Sequence, residues 1–126
     1  MNRDIGASSK IFVVDDDEAV RDAIKGLLEM HGLNVEDFGS TAEFMRGYAK
    51  PAQGCLILDQ HLPHRSGLDF LASAEGRKLG IPVILITGQG DENIKRRAEQ
   101  AGAQYLEKPI RRKNLIDALE RVIGRC

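Results

Sequence analysis

The sequence predicts a doubly wound α/β domain, a five-stranded parallel sheet covered by helices on both sides. Three observations carry that expectation. Short apolar runs recur five times, and each is followed by a segment with helical spacing. The runs are apolar on consecutive residues, as strands buried on both faces require. No linker, repeat or low-complexity stretch interrupts the alternation, so a single domain accounts for the 126 residues.

Each element has its own signal. "KIFVVD" (10–15) reads as the first strand. The helix after it places Ala19, Val20, Ala23, Ile24, Leu27 and Leu28 on one face, and Gly32 stops it. Asp17 stands at its N-cap position. "NVEDF" (34–38) is a short strand with weak alternation. Ser40 with Glu43 forms a capping-box pattern for the next helix, and Pro51 follows that helix. "CLILD" (55–59) is a buried strand ending in an acid, and 66–78 reads as one helix. "PVILIT" (82–87) is the fourth strand, and Asp91 caps a helix that stops at Gly102. "AQYLEK" (103–108) is the fifth strand, and the last helix begins at Asn114.

Composition narrows the function classes. With 18 basic and 19 acidic residues the net charge is -1, which argues against a general nucleic-acid or membrane binder. Cys55 lies in an apolar run and Cys126 at the end of the chain, without metal-ligand spacing. The polar start, residues 1–9, reads as a disordered tail before a domain spanning 10–124. No signal peptide or long apolar run is present, so a cytoplasmic location is expected.

In sheets of this kind the ligand site lies beyond the carboxyl ends of the strands, where strand order reverses. The first strand ends in Asp15 and Asp16, the third in Asp59, the fourth in Thr87, and the fifth in Lys108 followed by Pro109. Three carboxylates on one rim repel each other unless a cation joins them. Mg²⁺ suits them, because it takes one or two carboxylates and keeps several waters. One carboxylate can then attack phosphorus and form an aspartyl phosphate. An ammonium and a hydroxyl beside it supply the charge neutralisation that phosphoryl transfer needs.

"VVDDDEAV", "LILDQHLPHRSG", "ILITGQGD" and "YLEKP" resemble the successive motifs of the response-regulator receiver domain of bacterial two-component signalling. The likeness covers residues 10 to 124, and "TGQGD" is similar in particular to FixJ-type receivers. The resemblance implies a flavodoxin-like fold with strand order 2-1-3-4-5 and five helices. It implies that Asp59 accepts a phosphoryl group from a sensor histidine kinase. Asp16 and Asp59 would bind Mg²⁺ with the backbone carbonyl of His61, and Asp15 would act through water. Thr87 and Lys108 would hold phosphoryl oxygens, Lys108–Pro109 would be a cis peptide, and the Tyr105 rotamer would follow Thr87. His61 and Gln89 match positions that tune dephosphorylation. A homodimer through the face around helix 91–101 and strand 103–108, and a DNA-binding effector domain in a longer chain, are the partners the resemblance suggests. It implies a signalling phosphoacceptor rather than an enzyme acting on other substrates.

Leu62-Pro63 replaces the Met-Pro usual in that family, a mild change in volume. The rival enzyme reading is a haloacid-dehalogenase-like phosphatase with Asp15 as nucleophile and Asp17 completing Asp-x-Asp. Ala19 and the lack of an acidic pair after Lys108 count against it. A phosphorylation-independent interaction module is the other alternative. No G-x-x-x-x-G-K-[ST] is present, and "GQGDEN" lacks the third glycine of a dinucleotide loop. Lys95-Arg96-Arg97 and Arg111-Arg112-Lys113 read as solvated faces flanking the fifth strand.

Overall fold

The computed structural model describes residues 9–123. The remaining terminal residues, with Cys126 and most of the expected tail, lie outside this range. Ser9, placed by the sequence in that tail, is buried and its hydroxyl donates to Gln53 Oε1 at 3.1 Å.

Five strands, β1 (Lys10–Val14), β2 (Asn34–Phe38), β3 (Gly54–Asp59), β4 (Val83–Thr87) and β5 (Gln104–Glu107), form one parallel sheet of order β2-β1-β3-β4-β5. The apolar runs explain the order. β1, β3 and β4, buried almost throughout, take the three central places. β2 and β5 carry exposed or half-buried residues and occupy the edges. They are therefore not apolar on both faces, as the repeating pattern suggested.

Among the described residues six helices cover the sheet: α1 (Glu18–Glu29), α2 (Thr41–Gly47), α3 (Gly67–Ala72), α4 (Ala74–Arg77), α5 (Glu92–Gln100) and α6 (Arg112–Val122). The residue period of two along each central strand divides the core. Ile11, Val13, Ile57, Ile84 and Ile86 pack with Ile24 and Leu28 of α1 and Leu115 and Leu119 of α6. Phe12, Val14, Leu56, Leu58 and Leu85 pack on the other side with Phe44, Phe70 and Ala98.

The expected caps are in place. Asp17 Oδ1 accepts from the Ala19 N–H at 2.9 Å, Ser40 Oγ from Glu43 at 3.1 Å, and Asp91 Oδ1 from Ile94 at 2.8 Å. Gly32 and Gly102 end their helices at φ 79° and 81°, the left-handed backbone that glycine tolerates.

One expected helix is two. The segment read as a single helix over 66–78 breaks at Ser73, whose ψ of 165° is extended. The serine hydroxyl donates to the Phe70 carbonyl at 2.6 Å and accepts the Gly76 N–H at 3.1 Å. A short side chain that satisfies the end of one helix and the start of the next competes with a continuous ladder. Among the described residues the helix count is therefore six, not five.

Candidate functional site: the carboxylate rim

The order of the sheet brings β1 and β3 side by side, with Val14 level with Leu58. Their next residues, Asp15 and Asp59, therefore meet at the point where the chain reverses its direction of winding. Asp15 is 0% exposed and Asp59 2%, whereas Asp16 faces solvent. Carboxylate oxygens of the three lie within 4.8 Å of one another.

The turn that holds Asp15 is fixed from both sides. Asp15 Oδ1 accepts the Asp17 N–H at 2.9 Å. Its backbone carbonyl accepts Arg21 Nη1 at 2.7 Å, and Arg21 Nε also meets Asp37 Oδ2 of β2 at 3.0 Å. The loop after Asp59 is fixed by Gln60, which is buried. Its N–H donates to the Ile86 carbonyl at 2.8 Å, its side-chain oxygen accepts the Leu68 N–H at 2.9 Å, and its carbonyl accepts the Gly67 N–H at 3.0 Å. Neither Arg21 nor Gln60 stood out in the sequence. A glutamine directly after the strand-end acid was the available signal for the second.

Lys108 enters from the neighbouring edge. Its ammonium is 3.1 Å from Asp15 Oδ2 and 3.4 Å from Asp59 Oδ1. Its backbone N–H donates to the Thr87 carbonyl at 2.8 Å, and the Lys108–Pro109 peptide is cis. Burial, and then the charge of Asp15, push the Asp59 carboxyl above its ordinary value, and Lys108 and the His61 N–H offset this only in part. For Lys108, burial acts downward, but its hydrogen bond to Asp15 and the charges of Asp59 and Asp15 outweigh it and hold the ammonium above its usual value.

Asp15 Oδ2 and Asp59 Oδ1 are buried, and apart from the Lys108 ammonium neither has a hydrogen-bond partner. Each meets one ammonium at ion-pair distance and nothing else that would satisfy a charged oxygen. Two buried carboxylates against one lysine leave net negative charge in a low-dielectric place. Oxygen donors of this kind, with a third carboxylate at the solvent side, fit a hard divalent cation such as Mg²⁺.

Thr87 is 0% exposed at the end of β4. Its hydroxyl oxygen accepts the Gln89 N–H at 3.1 Å and lies 2.9 Å from His61 Nε2. The ring of His61 was unforeseen as a partner of Thr87. Gln89 contributes its backbone here, and its side chain is exposed.

Tyr105 is half-buried on β5 and donates its hydroxyl to Glu107 Oε2 at 3.0 Å. Burial first, then that bond and the charges of Glu107, Asp91 and Glu92, push its phenol up to about 12. A side chain on Gly90 would collide with the Tyr105 hydroxyl. Gly90 is therefore needed for close approach of the ring, and it has an ordinary φ. Cys55 is buried and free, and burial pushes its thiol well up. It is a core residue.

The fold and this rim together define a receiver-type signalling domain. Residues 11–120 match the family described as response regulator receiver domain, and the chain belongs to it. Its relatives include the response regulator protein TodT of Pseudomonas putida, 39% identical over 113 residues. Nodulation protein W of Bradyrhizobium diazoefficiens is 40% identical over 116 residues, and the transcriptional regulatory protein FixJ of Azorhizobium caulinodans 36% over 119. These alignments cover 89%, 90% and 94% of this chain but 50%, 51% and 56% of the relatives, so the chain spans about half their length. Among solved structures, FixJ-N superposes with a TM-score of 0.81 at 33% identity, covering 94% of this chain and 95% of that one. The response regulator StyR gives 0.82 at 36%, covering 92% and 59%. Among the described residues no helix is long and apolar enough to cross a membrane.

Proposed function

We infer that this chain is the phosphoacceptor module of a two-component regulator, with Asp59 as the acceptor. The observation that carries this reading is the pair of buried carboxylates at adjacent strand ends, each with an oxygen whose one close partner is the same lysine. Asp16, Asp59 and the His61 carbonyl would hold Mg²⁺ directly and Asp15 through water. Mg²⁺ bound there would neutralise the cluster and polarise the phosphoryl group.

The phosphodonor is the phosphohistidine of a sensor kinase. An Asp59 oxygen attacks its phosphorus, the P–N bond breaks, and the leaving imidazole takes up a proton. Lys108 stands close enough to Asp59 to neutralise a phosphoryl oxygen, and the Thr87 hydroxyl can donate to another. Beside Lys108 an apolar groove, lined by Ala19, Val20, Ala23, Leu27, Pro109 and Ile110, offers the donor a surface. Recruitment of Thr87 moves the turn that Tyr105 covers, and the change reaches the face of α5 and β5. A second copy, or a DNA-binding effector domain in a longer chain, would read it there. The domain proper takes in residues 10–124, and a cytoplasmic location agrees with this role.

Incubation with acetyl phosphate and Mg²⁺ should add one phosphoryl group, mapped to Asp59 by mass spectrometry, and none to Asp59→Asn. Labelling of that variant at the wild-type rate would remove Asp59 from the role. An adduct on Asp15 would turn the assignment to the phosphatase alternative.

A further inference from the structure

Thr87 is needed by the phosphoryl group on the proposed reading, yet its hydroxyl is already engaged. The oxygen accepts the Gln89 N–H, and the one remaining close partner is His61 Nε2 at 2.9 Å. A hydroxyl has a single proton, and a buried one needs an acceptor. If Nε2 carried a proton, two N–H groups would point at the oxygen and the hydroxyl proton would face nothing among the described residues. The arrangement that satisfies every group has Thr87 donating to an unprotonated Nε2, with the ring proton on Nδ1.

We propose that the His61 side chain is a latch on Thr87, a positioning residue that competes with the phosphoryl group for the threonine proton and so sets the threshold of the switch. The inference rests on Asp59 being the acceptor. His61 is suited to the task by its place. It stands two residues after Asp59 on an exposed loop, so its ring can leave without disturbing the core, while Thr87 is buried and can only rotate. A bond to a charged phosphoryl oxygen is about twice as strong as one between neutral groups. The exchange therefore runs towards the phosphoryl group, but with a smaller drive than an unlatched threonine would have.

The test is a titration with beryllofluoride and Mg²⁺, a stand-in for the aspartyl phosphate, followed by the amide shifts of Gly88, Gly90 and Tyr105. His61→Ala should bind roughly two- to tenfold more tightly than wild type, the range expected from one neutral hydrogen bond. His61→Gln, whose side-chain oxygen can accept the same proton, should fall back towards wild type. In a Thr87→Val background His61→Ala should change nothing, because the two side chains act through one bond. Imidazole ¹⁵N spectra of the unloaded protein should show Nε2 as the unprotonated nitrogen. Binding by His61→Ala equal to or weaker than wild type overturns the latch, as does an equal gain without the threonine hydroxyl. If wild type and Asp59→Asn are equally silent to beryllofluoride, the acceptor assignment itself falls, and the latch with it.

Discussion

Replacing Lys108 by Met should lower the stability of the metal-free protein by about 3 kcal/mol at neutral pH, whereas Asp59→Asn should raise it. Removing one partner of a buried ion pair typically costs about 3–5 kcal/mol, because the other charge is left uncompensated. The lower end applies here, since the Lys108 side chain is 24% exposed. Lys108 serves two carboxylates, at 3.1 and 3.4 Å, so its loss leaves both without a counter-charge. Asp59→Asn removes one of the two repelling charges and leaves the lysine paired with Asp15. The double variant should recover much of the loss.

The pH dependence has a definite sign. The Asp59 carboxyl is held above its ordinary value, by burial first and then by Asp15. The folded protein therefore binds this proton more tightly than the unfolded chain does. Its contribution to stability is present below the ordinary carboxylate range and is lost as pH rises through the folded value. The advantage of Asp59→Asn should accordingly be full at neutral pH and fade on acidification. Lys108, held above its usual value, keeps its contribution at neutral pH and loses it only in strong alkali. Urea unfolding in chelator between pH 4 and 8 would measure the fading advantage of Asp59→Asn and the loss in Lys108→Met. A Lys108→Met variant as stable as wild type would show that the carboxylates do not depend on the lysine.

What the sequence could reveal follows from the range over which each interaction acts. Buried strands announce themselves as local apolar runs, so β1, β3 and β4 and the acids that end β1 and β3 were legible in the sequence, while the half-buried edges β2 and β5 were placed by their position in the alternation. The cluster was legible for the same reason, because parallel strands must bring their ends to one rim. Caps such as Asp17, Ser40 and Asp91 act within three residues and were equally readable. Ser73 was not, since a serine among alanine and glutamate fits a helical pattern until its hydroxyl turns to Phe70 and Gly76. The contact of His61 with Thr87 joins residues 26 apart in sequence, and no local pattern encodes it. Gln60 and Arg21 were missed because their roles are to hold backbone carbonyls and N–H groups of other segments.

Two glycine-to-alanine substitutions should move stability in opposite directions, and one of them should reach the site. Gly26 lies in the middle of α1, exposed, with nothing within 4 Å of where a Cβ would stand. Alanine there gains helix propensity alone, so Gly26→Ala should stabilise by about 0.5–1 kcal/mol. Gly67 begins α3 and sits under the loop after Asp59. A Cβ on it would lie 2.7 Å from the Asp59 carbonyl oxygen, 2.8 Å from Leu85 Cδ1 and 3.2 Å from Leu58 Cγ. The first neighbour is backbone and the other two are core side chains, so none can give way cheaply. Overpacking of this kind costs about 1–3 kcal/mol. It would also bear on the Gly67 N–H bond to the Gln60 carbonyl and the Leu68 N–H bond to its side chain, two of the three that fix the loop after Asp59. Gly67→Ala should therefore lower the urea midpoint and, on the proposed acceptor role of Asp59, slow labelling by acetyl phosphate, while Gly26→Ala raises the midpoint and leaves labelling unchanged. If Gly67→Ala matched wild type in both measurements, close packing of α3 against the Asp59 carbonyl would not be what holds the loop after Asp59 in place.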